Sequence, residues 1–167
     1  QYTPASNVSG NAAATITVTM NDGDGSGNVT AGTVNVNVTA QNDAPTASSI
    51  PTDVTVTEDT ASNVDLSAVT FADVDGDSLT VTLTASAGTW TASTGGDVTV
   101  GGSGTGTLTL AGTVANINTF LDTASNVQYT GASNASGNDA ATFTIQANDG
   151  TVNPTLATVN LDITAVN

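Results

Sequence analysis

The chain contains no lysine, arginine, histidine or cysteine among its 167 residues, although it has 15 acidic residues. Without cysteine no disulfide can form, and without lysine no Lys–Asn isopeptide crosslink is possible. Binding to nucleic acid or to anionic lipid depends on Lys and Arg, so a formal net charge of -15 excludes both as expected partners. Only carboxylates and hydroxyls remain for catalysis, and we predict that the chain is not an enzyme.

Long apolar segments are also missing. No run of 18 apolar residues occurs, so we predict no direct insertion into a membrane. Threonine, by contrast, is abundant, with 33 residues. Threonine and valine favour β-strands, whereas the many glycines, asparagines and serines favour turns. This composition therefore predicts an all-β protein.

An internal repeat divides the chain. Residues 1–23 and 128–150 are identical at 16 of 23 positions. Both copies then continue into an alternating strand and end at Asn42 and Asn167. We therefore predict that residues 1–42 are the C-terminal strands of a preceding repeat and that 43–167 form one complete repeat. In isolation we expect 1–42 to be disordered or paired with a neighbouring chain.

Within 43–167 apolar residues alternate with polar ones almost throughout, which predicts strands. We place them at 54–56, 64–66 with 69–71 after a break, 79–83, a short strand around Trp90, 98–100, 108–110, 127–129, 143–145 and 156–163. A switch to helical spacing predicts one short helix near 113–122, with Thr113 as its N-cap. The prediction is an immunoglobulin/cadherin-like antiparallel β-sandwich with seven or more strands and one short helix.

The most densely charged stretch is Phe71-Ala72-Asp73-Val74-Asp75-Gly76-Asp77. No basic side chain exists to neutralise its three carboxylates, which repel one another at about 1 kcal/mol per pair at 4 Å in water. Alternating oxygen ligands around a glycine suit Ca²⁺, which takes roughly 6–8 oxygens. The alternative is a solvated polar turn, because Asp and Gly also dominate turns. The stretch is not an EF-hand loop, which needs a glycine where Ser78 stands.

Together with this stretch, four further pieces resemble the bacterial cadherin-like tandem repeats of giant RTX-type surface adhesins. They are the junction Asn42-Asp43-Ala44-Pro45, the pair Glu58-Asp59, the strand and helix from Leu108 to Leu121, and the turn Asn148-Asp149-Gly150. The resemblance covers the complete repeat and part of the preceding tail. The Asp-Arg-Glu motif of cadherins is missing, as it must be in a chain without arginine.

The resemblance implies that calcium sits between successive repeats and stiffens the array. Strand order, taken independently, brings the linker and the acidic loops to one end of the sandwich and Glu58 with Asp59 to the other. There they would serve the next junction together with Asn167. The predicted calcium ligands are Asn42, Asp43, Glu58, Asp59, Asp73, Asp75, Asp77, Asp149 and Asp22, the last at the position of Asp149 in the first copy.

The resemblance implies an extracellular extender module on a bacterial surface, whose partners are neighbouring repeats of the same chain. One alternative is a fibre subunit in which residues 1–42 complete a neighbouring chain by strand donation, through homotypic contacts. Another is a carbohydrate- or protein-binding module that uses Trp90 as a stacking platform. We interpret Trp90 instead as a core residue of the sandwich.

Overall fold

The computed structural model describes residues 1–25 and 27–166. The chain forms two compact units, Gln1–Asn42 and Asp43–Asn167. Asn167, which we assigned to the next calcium junction, lies outside the described residues. Among the described residues, α-helices do not reach the length and hydrophobicity that spanning a bilayer requires.

The first unit is a β-hairpin. Its strands, β1 (Gly10–Met20) and β2 (Val29–Val38), pair antiparallel and form a sheet of their own. Threonine or asparagine alternates with Ile, Val or Ala along both strands, so one face of the hairpin is apolar. The assignment of this unit to a preceding repeat stays a prediction.

The second unit is the predicted all-β sandwich with one helix. A six-stranded sheet has the order β4-β13-β12-β7-β10-β9, and smaller sheets have the orders β5-β11-β8 and β3-β6. Among the described residues of this unit, every pairing is antiparallel except that of β4 with β13. The strands are β3 (Thr46–Ser48), β4 (Asp53–Thr57), β5 (Ser62–Asn63), β6 (Thr70–Ala72), β7 (Ser78–Ala85), β8 (Thr89–Ala92), β9 (Thr99–Gly101), β10 (Thr107–Thr113), β11 (Val127–Thr130), β12 (Gly137–Asn148) and β13 (Thr155–Thr164).

The core lies between these sheets and contains Trp90. Its indole ring is fully buried, 5.1 Å from the ring of Tyr129 and 5.1 Å from that of Phe143. Edge-on and tilted aromatic contacts of this kind add to the free energy gained by burial. The core interpretation of Trp90 is therefore confirmed, and the side chain offers no exposed platform for a sugar.

The predicted helix is α1 (Val114–Leu121). The Thr113 side chain accepts a hydrogen bond from the Asn116 amide at 3.2 Å, which confirms the N-cap. Ile117, Phe120 and Leu121 are buried, so the helical spacing marks the face that packs on the core. A 3-10 helix at Ala124–Asn126 follows, which the sequence pattern did not predict.

The predicted strands at 64–66 and 69–71 differ from the structure. β5 ends at Asn63 and β6 begins at Thr70, so 64–69 lie outside any strand. The Asp65 carboxylate accepts hydrogen bonds from the amide and the hydroxyl of Ser67, and the Val69 amide donates to Leu66. These local turns use backbone groups that strand pairing would need, although Val64, Leu66 and Val69 are still buried.

Candidate metal centre

The acidic stretch forms the loop between β6 and β7. The Asp77 amide donates to Asp73 Oδ1 at 3.2 Å, which closes the loop on itself. Gly76 has φ +78°, a backbone conformation that favours glycine. The sequence therefore folds this way locally because an aspartate side chain and a glycine together make a tight turn.

The loop gathers its three carboxylates into one group. One oxygen from each of Asp73, Asp75 and Asp77 lies within 4.8 Å of the others. Asp75 and Asp77 are exposed, whereas Asp73 is half-buried. Asp73 Oδ2 is itself buried and receives no hydrogen bond from the described residues. A buried, charged oxygen without a donor is unfavourable, so this atom is suited to face a cation.

The segment after the Asn42–Asp43 boundary is tied to this loop. The Asp43 amide donates to Asp75 Oδ2 at 2.7 Å. Three residues later β3 begins, and Thr46 lies opposite Ala72, the residue before Asp73. This pairing brings Asp43 to the acidic loop. The sequence pattern missed β3 because three residues are too few to show alternation.

Asp149 lies at the same end of the sandwich. It directly follows β12, whose last residue Asn148 pairs with Thr80 near the start of β7. The loops before β7 and after β12 therefore share one end. Asp149 is 9% exposed, and its Oδ1 accepts from the amides of Thr151 and Val152 at 2.7 Å each. Among the described residues, the Asp149 carboxylate does not belong to the close group formed by Asp73, Asp75 and Asp77.

Glu58 and Asp59 lie at the opposite end, as the strand order predicts. The Glu58 amide donates to the Thr164 carbonyl at 2.9 Å, where β13 ends. The Glu58 side chain is 7% exposed, and its Oε2 accepts from the Val166 amide at 3.3 Å. Asp59 is exposed, with φ +56°.

Asp22 and Asn42 belong to the hairpin unit. Asp22 is exposed and its Oδ1 accepts from the Asp24 amide at 3.2 Å; Asn42 is half-buried. The turn has the same local design as the loop at Asp149. The Gly23 amide donates to Asn21 Oδ1 at 2.8 Å, and the Gly150 amide donates to Asn148 Oδ1 at 2.6 Å.

A second carboxylate group was not predicted. Oxygens of Asp53, Asp139 and Asp162 lie within 4.8 Å of one another on the outer face of β4, β13 and β12. Asp162 Oδ1 accepts from the Asp139 amide at 2.8 Å, and all three residues are exposed or half-exposed. Finding this group requires the parallel register of β4 with β13, which a single sequence does not display.

In the part of the chain that the structure describes, two acidic groups are thus arranged in a way that could hold a metal ion. Comparison with known proteins adds little. No family model and no curated protein matches the chain. Among solved structures, an endo-fucoidan hydrolase of glycoside hydrolase family 107 aligns at 18% identity with a TM-score of 0.35. The alignment covers 98% of this chain but 20% of that enzyme, and so low a TM-score supports no argument about fold or activity.

Proposed function

We propose that this chain is a calcium-binding, cadherin-like extender repeat of a large bacterial surface adhesin. In this role it holds a distant adhesive region away from the cell, and its partners are neighbouring repeats of the same chain. An extracellular location suits the proposal because calcium is plentiful there. Catalysis is no part of it, since the chain offers only carboxylates and hydroxyls.

The main support is a pair of observations: Asp73 Oδ2 is buried and accepts no hydrogen bond from the described residues, and one oxygen from each of Asp73, Asp75 and Asp77 lies within 4.8 Å of the others. Like charges 4 Å apart repel by about 4 kcal/mol near a protein surface and by about 1 kcal/mol in water. No Lys, Arg or His is present to offset that repulsion. A hard cation with oxygen ligands, such as Ca²⁺, would turn it into attraction.

Asp73, Asp75 and Asp77 are the residues that would hold the ion. Binding of the ion would also hold Asp43 in place, because the Asp43 amide already donates to Asp75 Oδ2 at 2.7 Å. Calcium bound at the loop would therefore also order the segment that enters the sandwich. Asp149 lies at the same end of the sandwich and would be a further ligand there. Glu58 and Asp59 would be ligands of a second ion at the opposite end.

Thermal melting with a charge-matched control tests the proposal. Calcium at about 100 times its dissociation constant adds about 2.7 kcal/mol, which raises the melting temperature of a unit this size by roughly 10 °C. Asp75→Asn keeps an acceptor for the Asp43 amide but removes a charge. In chelator, the melting temperature of Asp75→Asn should be higher than that of the unaltered chain. Added calcium should raise this melting temperature much less than it raises that of the unaltered chain.

Asp122→Asn removes the same charge from an exposed position outside both carboxylate groups. It should keep the full calcium response. The alternative of a solvated turn predicts that calcium leaves the melting temperature of all three proteins unchanged.

The extender role has its own test. In a protein made of two tandem copies of residues 43–167, calcium should increase the maximum dimension in small-angle scattering, and chelator should shorten it. Calcium binding without a change in dimension would support the metal site and contradict the extender role.

A further inference from the structure

The hairpin of the first unit, residues Gly10–Val38, has the same design as the hairpin β12–β13. Its pairs Ala14↔Val36 and Ile16↔Val34 match Ala141↔Leu161 and Phe143↔Val159. Both hairpins have a register irregularity at the same place, after Gly10 and after Gly137.

The irregularity is held by the same hydrogen bond in both hairpins. The Ala12 amide donates to Asn37 Oδ1 at 2.9 Å, and the Asp139 amide donates to Asp162 Oδ1 at 2.8 Å. The two hairpins are therefore alike in backbone, not only in sequence.

The two hairpins differ in how far their apolar side chains are buried. On β12–β13 the inward side chains of Phe143, Ile145 and Val159 are 0% exposed. Their counterparts Ile16, Val18 and Val34 are 42%, 44% and 54% exposed. A contiguous apolar sheet face in contact with water marks an interaction surface.

In the second unit the matching face is covered by the core, where Phe143 packs against Trp90 of β8, and the strand edges of the hairpin are paired as well. β12–β13 occupies the middle of the six-stranded sheet, with β7 on one side and β4 on the other. We call the space between β4 and β7 the hairpin slot. Without β12–β13, this slot would have two open strand edges, which readily accept a further strand.

We propose that the hairpin Gly10–Val38 of one copy of this chain inserts into the hairpin slot of a second copy when that slot is vacated. By the register of β12–β13, Val18 would lie opposite Leu83 of β7, and Val36 opposite Val54 of β4. The Glu58 amide, which now donates to Thr164, would donate to the Thr39 carbonyl. Main-chain pairing supplies affinity in strand addition of this kind, and the alternate side chains supply specificity.

Side-chain size determines which hairpin fills the slot in the unaltered chain. Ile16 stands where Phe143 packs against Trp90, and Val36 stands where Leu161 is fully buried. The inserted hairpin would leave unfilled volume at both places, which is unfavourable. The chain's own hairpin is also tethered at high effective concentration. Insertion therefore needs a weakened β12–β13. The inference does not depend on calcium.

Cysteine crosslinking in the full chain tests the insertion, because the chain has no cysteine of its own. Thr144 pairs with Thr84 of β7, so its counterpart Thr17 would lie opposite Thr84 after insertion. Thr17→Cys with Thr84→Cys places two thiols at a distance that a disulfide spans. Ile145→Asp, added to this pair, puts a charge at a fully buried position of the chain's own hairpin and so vacates the slot.

The expected result is a ladder of disulfide-linked dimers and larger species in the Ile145→Asp protein, with a light-scattering mass that rises above 16.3 kDa with concentration. Without Ile145→Asp the protein should stay monomeric. Thr144→Asp, on the half-exposed face of the same strand, should behave like the unaltered chain. Adding Val18→Asp to the Ile145→Asp protein should abolish the ladder.

Three results would overturn the insertion. They are a monomeric Ile145→Asp protein, whether folded or not; crosslinks that persist with Val18→Asp; and a disulfide confined to single chains. Each of these leaves the calcium proposal untouched.

Discussion

Asn118 of α1 provides a sharp test of how the helix supports the acidic loop. Its Oδ1 accepts from the Phe71 amide at 2.9 Å, and its Nδ2 donates to the Phe71 carbonyl at 3.0 Å. Phe71 is 2% exposed and lies in β6, which pairs with β3 alone in the described part of the chain. One side chain thus satisfies both polar backbone groups of a buried residue, two positions before Asp73.

Asn118→Ala should destabilise the second unit by about 2–4 kcal/mol. Each hydrogen bond contributes about 1 kcal/mol net, and leaving a buried polar group without a partner costs about 1–3 kcal/mol. For a unit of this size the melting temperature should fall by roughly 10 °C. Because β6 leads directly into the acidic loop, we also expect calcium affinity to fall.

Denaturant and thermal unfolding of Asn118→Ala should be compared with Asn116→Ala. Asn116 lies on the same helix, and its side chain makes one long contact, at 3.5 Å, to the Asp97 carbonyl. This control should lose about 1 kcal/mol at most, because it removes one hydrogen bond and leaves the exposed Asp97 carbonyl open to water. Equal stability of the two variants would show that the Asn118 side chain does not support β6.

Two further predictions concern the core and its titration. Gly88→Ala should lower the free energy of unfolding by about 2 kcal/mol or more, because at φ +77° the new Cβ would press on the Thr130 carbonyl and the Tyr129 hydroxyl. Gly104 has a similar φ of +87° but open space around it, so Gly104→Ala should lose less stability in denaturant unfolding. Burial raises the pKa of Tyr129, so as the pH rises the Tyr129 hydroxyl ionises first in the unfolded state. The contribution of Tyr129 to stability is therefore complete below about pH 10 and is lost above that pH. Tyr129→Phe should therefore lose less stability than the unaltered chain between about pH 9 and 11, and equal slopes would contradict this.

The strands and the helix followed from local pattern. Alternation marked the long strands β7, β12 and β13, and helical spacing with Thr113 marked α1. These features depend on neighbours along the chain, so a single sequence displays them. Strand breaks were harder to predict, because Asp65 interrupts an apolar run through hydrogen bonds to Ser67 that depend on one side-chain conformation.

The candidate site was partly visible in the sequence for the same reason. The three aspartates of the loop are close in sequence, so their proximity followed directly. The bond from the Asp43 amide to Asp75 spans 32 residues, and the group of Asp53, Asp139 and Asp162 joins three strands. Strand order placed Asp43 and the acidic loop at one end of the sandwich, but the individual contacts depend on strand register, which turns and core packing fix together. A single sequence does not reveal that register.

Calcium binding at the loop can be measured by calorimetric titration of three proteins under the same conditions. We expect saturable binding to the unaltered chain, loss of that binding in Asp73→Asn, and its retention in Asp162→Asn, which alters the second carboxylate group. Absence of binding at millimolar calcium, or equal binding by Asp73→Asn and the unaltered chain, would contradict the claim that this loop is a calcium site.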